Sequence, residues 1–133
     1  MRFMLDTDAI SFALRGQGQV AAEIRSRAPS QVCTSSIVIA ELELGVARRG
    51  SRKLRAEVDA FCRGIVVLSF DGNAAQRYGR LAAALLADGA PIGVEDTMIA
   101  AHAISAGCTL VTHNRKHFER VSGLRVEDWL SGD

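Results

Sequence analysis

Gln31-Val-Cys-Thr-Ser-Ser-Ile-Val-Ile-Ala-Glu-Leu-Glu-Leu-Gly45 reads as a strand that passes directly into a helix. Its opening residues are short and β-favouring. Thr34-Ser-Ser36 then offers hydroxyls where a helix needs an N-cap, and beyond it apolar residues recur at helical steps. The same unit repeats along the chain. Strand-like runs fall at residues 2–5, 31–34, 65–70, 109–112 and 124–126. Helical patterns fall at 20–27, 36–47, a basic stretch ending at Phe61, 74–87 and 95–106. Strand alternating with helix predicts an α/β fold, a central parallel sheet of four to five strands with helices on both faces. Ile65-Val-Val-Leu68 is continuously apolar, as expected of a strand buried on both sides. Punctuation agrees: Asp71-Gly-Asn opens a helix, Asp88-Gly closes it, and Gly107 ends the last long one.

The length of 133 residues suits a single domain over 1–133. Apolar residues make up 48% of the chain and aromatics only 5%, so the core must come mainly from Ala, Val, Ile and Leu. A net charge of +1 does not by itself announce a nucleic-acid partner. All the basic residues except Lys53 and Lys116 are arginine, however, the type suited to bidentate phosphate contacts. Arg48-Arg-Gly-Ser-Arg-Lys-Leu-Arg55 concentrates that charge, as a solvated helix face or as a phosphate or partner surface. Cys33, Cys62 and Cys108 are odd in number and lack a C-x-x-C spacing, which points to a reducing cytoplasm. The short apolar run at the N-terminus is broken by Asp6 and Asp8 and does not read as a signal peptide. No segment approaches the roughly 18 apolar residues a membrane span needs.

In open parallel sheets, sites form outside the carboxyl ends of the strands. Asp6 stands immediately after the first strand, and His113 and Asn114 immediately after the fourth. Two more acids come from helices. Asp96 shares a stripe with Ile92, Ile99, Ala100 and Ala103, and Glu41 lies between Ile37 and Leu44. Neither has Lys or Arg at neighbouring helical positions, and a buried charge is costly unless paired or metal-bound. Singly, each acid could be a helix rim or a dipole-favoured first-turn residue. Converging from three segments, they would repel one another and raise each other's pKa unless a cation offsets them. Magnesium, or manganese, suits such an oxygen-only set and serves phosphodiester hydrolysis.

Other signals compete. Asp6 and Asp8 could hold magnesium in a receiver-type signalling module, with Asp71 accepting phosphate and Thr112 switching. A metal-dependent small-molecule phosphatase could use the nuclease's own acids, Asp6, Glu41 and Asp96. His113 and His117 are four apart, a zinc spacing, but no general-base Glu accompanies them and His113 sits at a strand end. His102, within Ile99-Ala-Ala-His-Ala103, reads as a packing histidine, and Trp129 as a closure of the core.

Joined in order, the motifs resemble the PIN-domain ribonuclease toxins of VapBC toxin–antitoxin pairs. Met4-Leu-Asp-Thr-Asp8 is similar to that family's M-L-D-T-N. Ser35-Ser-Ile-Val-Ile-Ala-Glu-Leu-Glu-Leu-Gly45 is similar to its S-S-x-x-x-x-E-L-x-x-G. Pro91-Ile-Gly-Val-Glu-Asp-Thr-Met-Ile-Ala-Ala-His-Ala103 resembles P-I-G-x-x-D-x-x-I-A-A-H-A. Leu110-Val-Thr-His-Asn-Arg-Lys-His-Phe118 and Gly123-Leu-Arg-Val-Glu-Asp-Trp129 resemble its closing V-T-x-N-x-x-x-F and G-L-x-x-E-D-W. The resemblance implies a PIN-like three-layer sandwich and a Mg²⁺- or Mn²⁺-dependent endoribonuclease, the toxin of a type II pair. Asp6, Glu41, Asp96 and Asn114 would be its catalytic residues, Asp6 and Asp96 the metal ligands, with Thr7 and Thr112 orienting the carboxylates. It further implies a homodimer, a VapB-like antitoxin and structured RNA, often transfer RNA, as substrate. Asp8 and His113 depart from the family's usual Asn at both places.

Overall fold

In the computed structural model, which describes residues 2–130, five parallel strands and seven helices alternate. Met1 and residues 131–133, part of the expected domain span, lie outside the described residues. The strands are β1 (Arg2–Leu5), β2 (Val32–Ser35), β3 (Val66–Leu68), β4 (Cys108–Val111) and β5 (Val126–Glu127). The helices are α1 (Thr7–Leu14), α2 (Val20–Arg25), α3 (Ser36–Arg49), α4 (Arg52–Arg63), α5 (Gly72–Ala87), α6 (Val94–Ser105) and α7 (Arg115–Phe118).

The sheet runs β3-β2-β1-β4-β5, every pairing parallel. The chain winds one way from β1 through β3 and the other way through β4 and β5. The order therefore reverses between β1 and β4, and it is at such a reversal, outside the strands' carboxyl ends, that open parallel sheets place their sites. Met4, Leu5, Cys33 and Leu110 are fully buried at the centre of the sheet, with Ile10, Val38 and Ile99 packed from the helices.

Local signals set the boundaries. Ser35 caps α3 by accepting the Ile37 amide at 3.0 Å, as the hydroxyl run predicts. Asp71 caps α5 by accepting the Ala74 amide at 3.0 Å, so its carboxylate serves the helix end. His102 is a buried packing histidine, its Nδ1 2.7 Å from Ser35 Oγ.

Two expectations need correction. Residues 7–14, read as no element, form α1, for which Asp6 is the N-cap. The continuous apolar run at β3 marks an edge strand rather than one buried on both faces, and Val67 is 42% exposed there. With no neighbour on one side, an apolar strand cannot be covered fully.

Cys33 and Cys108 pack as thiols, their Sγ atoms 3.8 Å apart. β1 lies between their strands, and two strand spacings of about 4.8 Å exceed the roughly 7 Å limit on Cα separation for a disulfide. Among the described residues, no helix is long and apolar enough to cross a membrane.

The segment that follows β5 is clasped onto the sheet at Trp129. Trp129 packs on Phe3 with ring centroids 5.2 Å apart. Arg27 lies over both rings, 4.6 Å from Phe3 and 4.3 Å from Trp129, while its guanidinium pairs with Glu23 at 2.6 Å. Gly18 enables this closure. Its φ is +64°, and a Cβ there would collide with the backbone and side chain of Leu130. Gly16 has φ +67° but open space around it. Gly18→Ala is expected to cost about 3 kcal/mol and Gly16→Ala about 1 kcal/mol, read from urea midpoints. Equal destabilisation by the two substitutions would show that the approach to Leu130 does not matter.

Candidate active site

Asp6 sits at the sheet's reversal point, one residue beyond β1 and immediately before α1. Parallel pairing continues past it, as its amide donates to Val111 O at 3.1 Å. The side chain is buried and already committed. Oδ1 accepts the Ala9 amide at 2.8 Å, and the Thr112 hydroxyl bonds the carboxylate. Thr112 Oγ1 in turn accepts the Asn114 amide at 3.0 Å. A hydrogen-bonded relay thus ties the end of β4 to the acid at the end of β1.

Glu41 arrives from the second turn of α3 and is half-buried. Thr7 Oγ1, at the start of α1, donates to its Oε1 at 2.7 Å. The apolar stripe of α3 is Val38, Leu42 and Val46, and Glu41 stands at its border; Leu44, expected to continue the stripe, is 58% exposed. Asp96 lies in the first turn of α6, half-exposed, above a buried stripe of Ile92, Ile99, Ala100 and Ala103, as the helical spacing predicts. His117 Nδ1 is 3.3 Å from its Oδ2.

Burial pushes the Asp6 carboxyl up to about 7. The Thr112 and Ala9 hydrogen bonds oppose that rise, and the charges of Asp8 and Asp96 add to it. Burial also raises Glu41, against the Thr7 hydrogen bond, and Asp96, Glu95 and Asp8 raise it further. The charge of Asp96 thus bears on both Asp6 and Glu41, and no Lys or Arg pairs with any of the three acids among the described residues. They lie within electrostatic reach rather than in a closed cage: among the described residues no three metal-binding side chains already converge. Oxygen donors only, one of them deeply buried and pushed up to about 7 chiefly by that burial, form a set that fits a hard divalent cation.

Asn114 is brought to the same edge as the first cap of α7, where its amide serves Thr112; its side chain makes no cap bond. The two histidines at zinc spacing diverge. His113 Nδ1 meets the buried Asp128 at 2.9 Å, whereas His117 meets Asp96. Asp8, exposed in the first turn of α1, adds charge to both buried acids, as the departure from Asn implies. Glu95 and His117 belong to the site's surroundings. Glu95 carried no reading in the sequence beyond adjacency to Asp96, and His117 was weighed only as a zinc partner of His113, not as a neighbour of Asp96.

Acids near the reversal point of a five-stranded parallel sheet are the arrangement expected of a nuclease of the PIN class. The PIN domain family model matches residues 3–124. The chain is 37% identical over 130 residues to the tRNA(fMet)-specific endonuclease VapC of Salmonella typhimurium, covering 97% of this chain and 98% of that one. It is 31% identical to Ribonuclease VapC2 of Haemophilus influenzae over 98% of this chain and 99% of that one. VapBC2 from Rickettsia felis, solved bound to a DNA fragment from its promoter, superposes with a TM-score of 0.89. The identity is 32%, over 97% of this chain and 99% of that one. The chain belongs to the PIN-domain family, as an endoribonuclease of the VapC toxin type. Nucleases of this type depend on divalent metal ions.

A pH dependence follows from Asp6. Its folded pKa lies above the unfolded value of 3.8, so folding favours the protonated form. That contribution is present at low pH and is lost as pH rises from about 4 through about 7. In chelator, the protein should lose on the order of 1–4 kcal/mol of stability across that window relative to Asp6→Asn, which keeps the cap. Parallel pH profiles for the two proteins in denaturant titrations would contradict the shift.

Proposed function

We propose that this chain is the toxin of a type II toxin–antitoxin pair and hydrolyses RNA at the pocket formed by Asp6, Glu41 and Asp96. The observation that carries this reading is that acids from three separate segments lie within electrostatic reach, the Asp96 charge raising both Asp6 and Glu41, with no Lys or Arg paired to them among the described residues. Asp6 and Asp96 would hold the divalent ion, Mg²⁺ with Mn²⁺ able to replace it. When bound, such an ion supplies Lewis acidity, acidifying water and offsetting charge on a phosphate oxygen. Glu41, oriented by the Thr7 hydroxyl, accepts a hydrogen bond from the attacking water and sets its line of approach. Thr112 and the Asn114 amide keep the Asp6 carboxylate in one orientation. Asn114 shapes the rim of the pocket. In-line attack by water leaves a 5′-phosphate and a 3′-hydroxyl.

The relatives' names support transfer RNA as the substrate class, and the VapBC complexes support a VapB-like antitoxin as partner. A homodimer and a single domain spanning the chain complete the reading. The three free cysteines fit the cytoplasm.

Purified protein incubated with total RNA should cleave only when Mg²⁺ or Mn²⁺ is added. Asp96→Asn should abolish cleavage, with a loss of at least about 100-fold, and leave the fold intact by circular dichroism. Products ending in a 2′,3′-cyclic phosphate, or full activity in Asp96→Asn, would overturn the assignment.

A further inference from the structure

Beside the acids, α1, α3 and α4 enclose a cleft of about 630 Å³. One end is the Thr7–Glu41 pair of the candidate site. The wall then passes Ser11 and reaches three cations contributed by three helices. Arg15 caps the C-terminus of α1, Arg49 is the last residue of α3, and Lys53 lies in the first turn of α4.

The basic run at 48–55 divides in two. Arg55 is committed to the fold, bonded to both Glu43 oxygens at 2.7 and 2.6 Å and to Asp59 at 2.8 Å. Arg15, Arg49 and Lys53 make no ion pair among the described residues. Arg15 gives only an Nε bond to Gln17 at 3.2 Å and lies over the Phe12 ring at 5.3 Å. The lining carries two carboxylates against these cations: Glu41 at the acid end and Glu57. Charge therefore changes sign along one continuous cleft.

A polyanion entering an acid-lined pocket is repelled at every phosphate except the one a cation offsets. Neighbouring phosphates need fixed positive charge to hold the strand in register, and contacts of this kind position a strand without reading its sequence. We propose that this cleft is the backbone channel for single-stranded RNA flanking the cleaved bond, with Arg15, Arg49 and Lys53 each taking a phosphate. The inference rests on the nuclease reading of the acids and adds to it the path of the strand. Because these interactions are the same before and during reaction, they should lower KM and leave kcat alone.

The test measures binding of a fluorescein-labelled oligouridylate to the full chain in EDTA, where no cleavage occurs, as KCl is raised. Removing one cation from a phosphate should lower the slope of log K against log salt by about 0.7. The triple variant Arg15→Gln, Arg49→Gln, Lys53→Gln is expected to reduce it by about 2 and to weaken binding about 100-fold at about 0.1 M salt. A control triple at exposed positions outside the cleft, Arg25→Gln, Arg63→Gln, Arg120→Gln, should leave it nearly unchanged; thermal melts confirm that both fold. In cleavage assays the cleft triple should raise KM at constant kcat. An equal fall in slope in the two triples, or no fall in either, overturns the channel while leaving the acid site untouched. RNA binding preserved alongside weakened affinity for an acidic peptide would assign the cleft to a protein partner and also overturn it. Cleavage surviving in Asp96→Asn sinks the acid reading instead, and the slope in EDTA still reports on the cleft.

Discussion

Carboxylates brought together without a counter-charge repel, and the candidate site is organised around that repulsion. Asp6 is the clearest case. Its burial at the sheet's reversal point disfavours the charged form, and Asp8 and Asp96 disfavour it further. The fold tolerates this because Asp6 is also structural: it caps α1 and takes hydrogen bonds from Ala9 and Thr112. Part of the stability of α1 is thereby tied to a carboxylate that would be more comfortable protonated or metal-bound. A site assembled this way is held open by packing and hydrogen bonds, and a divalent cation would relieve its stored repulsion.

Topology explains why the acids come within electrostatic reach at one region of the sheet edge. With strand order β3-β2-β1-β4-β5, the ends of β1 and β4 lie side by side, and their loops supply Asp6, Thr112 and Asn114. α3 leaves β2 next door and projects Glu41 toward Thr7, while α6 precedes β4 and carries Asp96 on its first turn. The hydroxyls of Thr7 and Thr112 convert these approximate placements into fixed carboxylate orientations. Hydroxyls suit that role because they donate to a carboxylate without neutralising it, so the pocket keeps its demand for a cation.

Much of this was legible in the order of residues, and what was not has identifiable causes. Strand runs, the Ser35 and Asp71 caps and the buried stripe below Asp96 follow from short-range chemistry, and local pattern revealed them. α1 was hidden because no polar turn separates it from β1; its cap, Asp6, reads first as a site acid. The edge position of β3 and the exposure of Leu44 depend on which elements lie alongside, which period and composition do not encode. Asp6, Glu41 and Asp96 were recognisable as acids in apolar settings. The partners that orient them, Thr7 and Thr112, came only from the family resemblance, and the approach of His117 to Asp96 depends on tertiary packing that no local pattern encodes.

A pocket of repelling acids that takes up a divalent cation must give up the protons that burial holds on its carboxyls. Calorimetric titration of Mg²⁺ or Mn²⁺ near pH 6, in two buffers of different ionisation enthalpy, counts the protons released on binding. Because Asp6 is raised to about 7, it is largely protonated there and must give up its proton to become a ligand. Net proton release is expected in the wild-type chain, and its absence, with weakened binding, in Asp6→Asn. Proton-neutral binding of equal affinity in both proteins would contradict it.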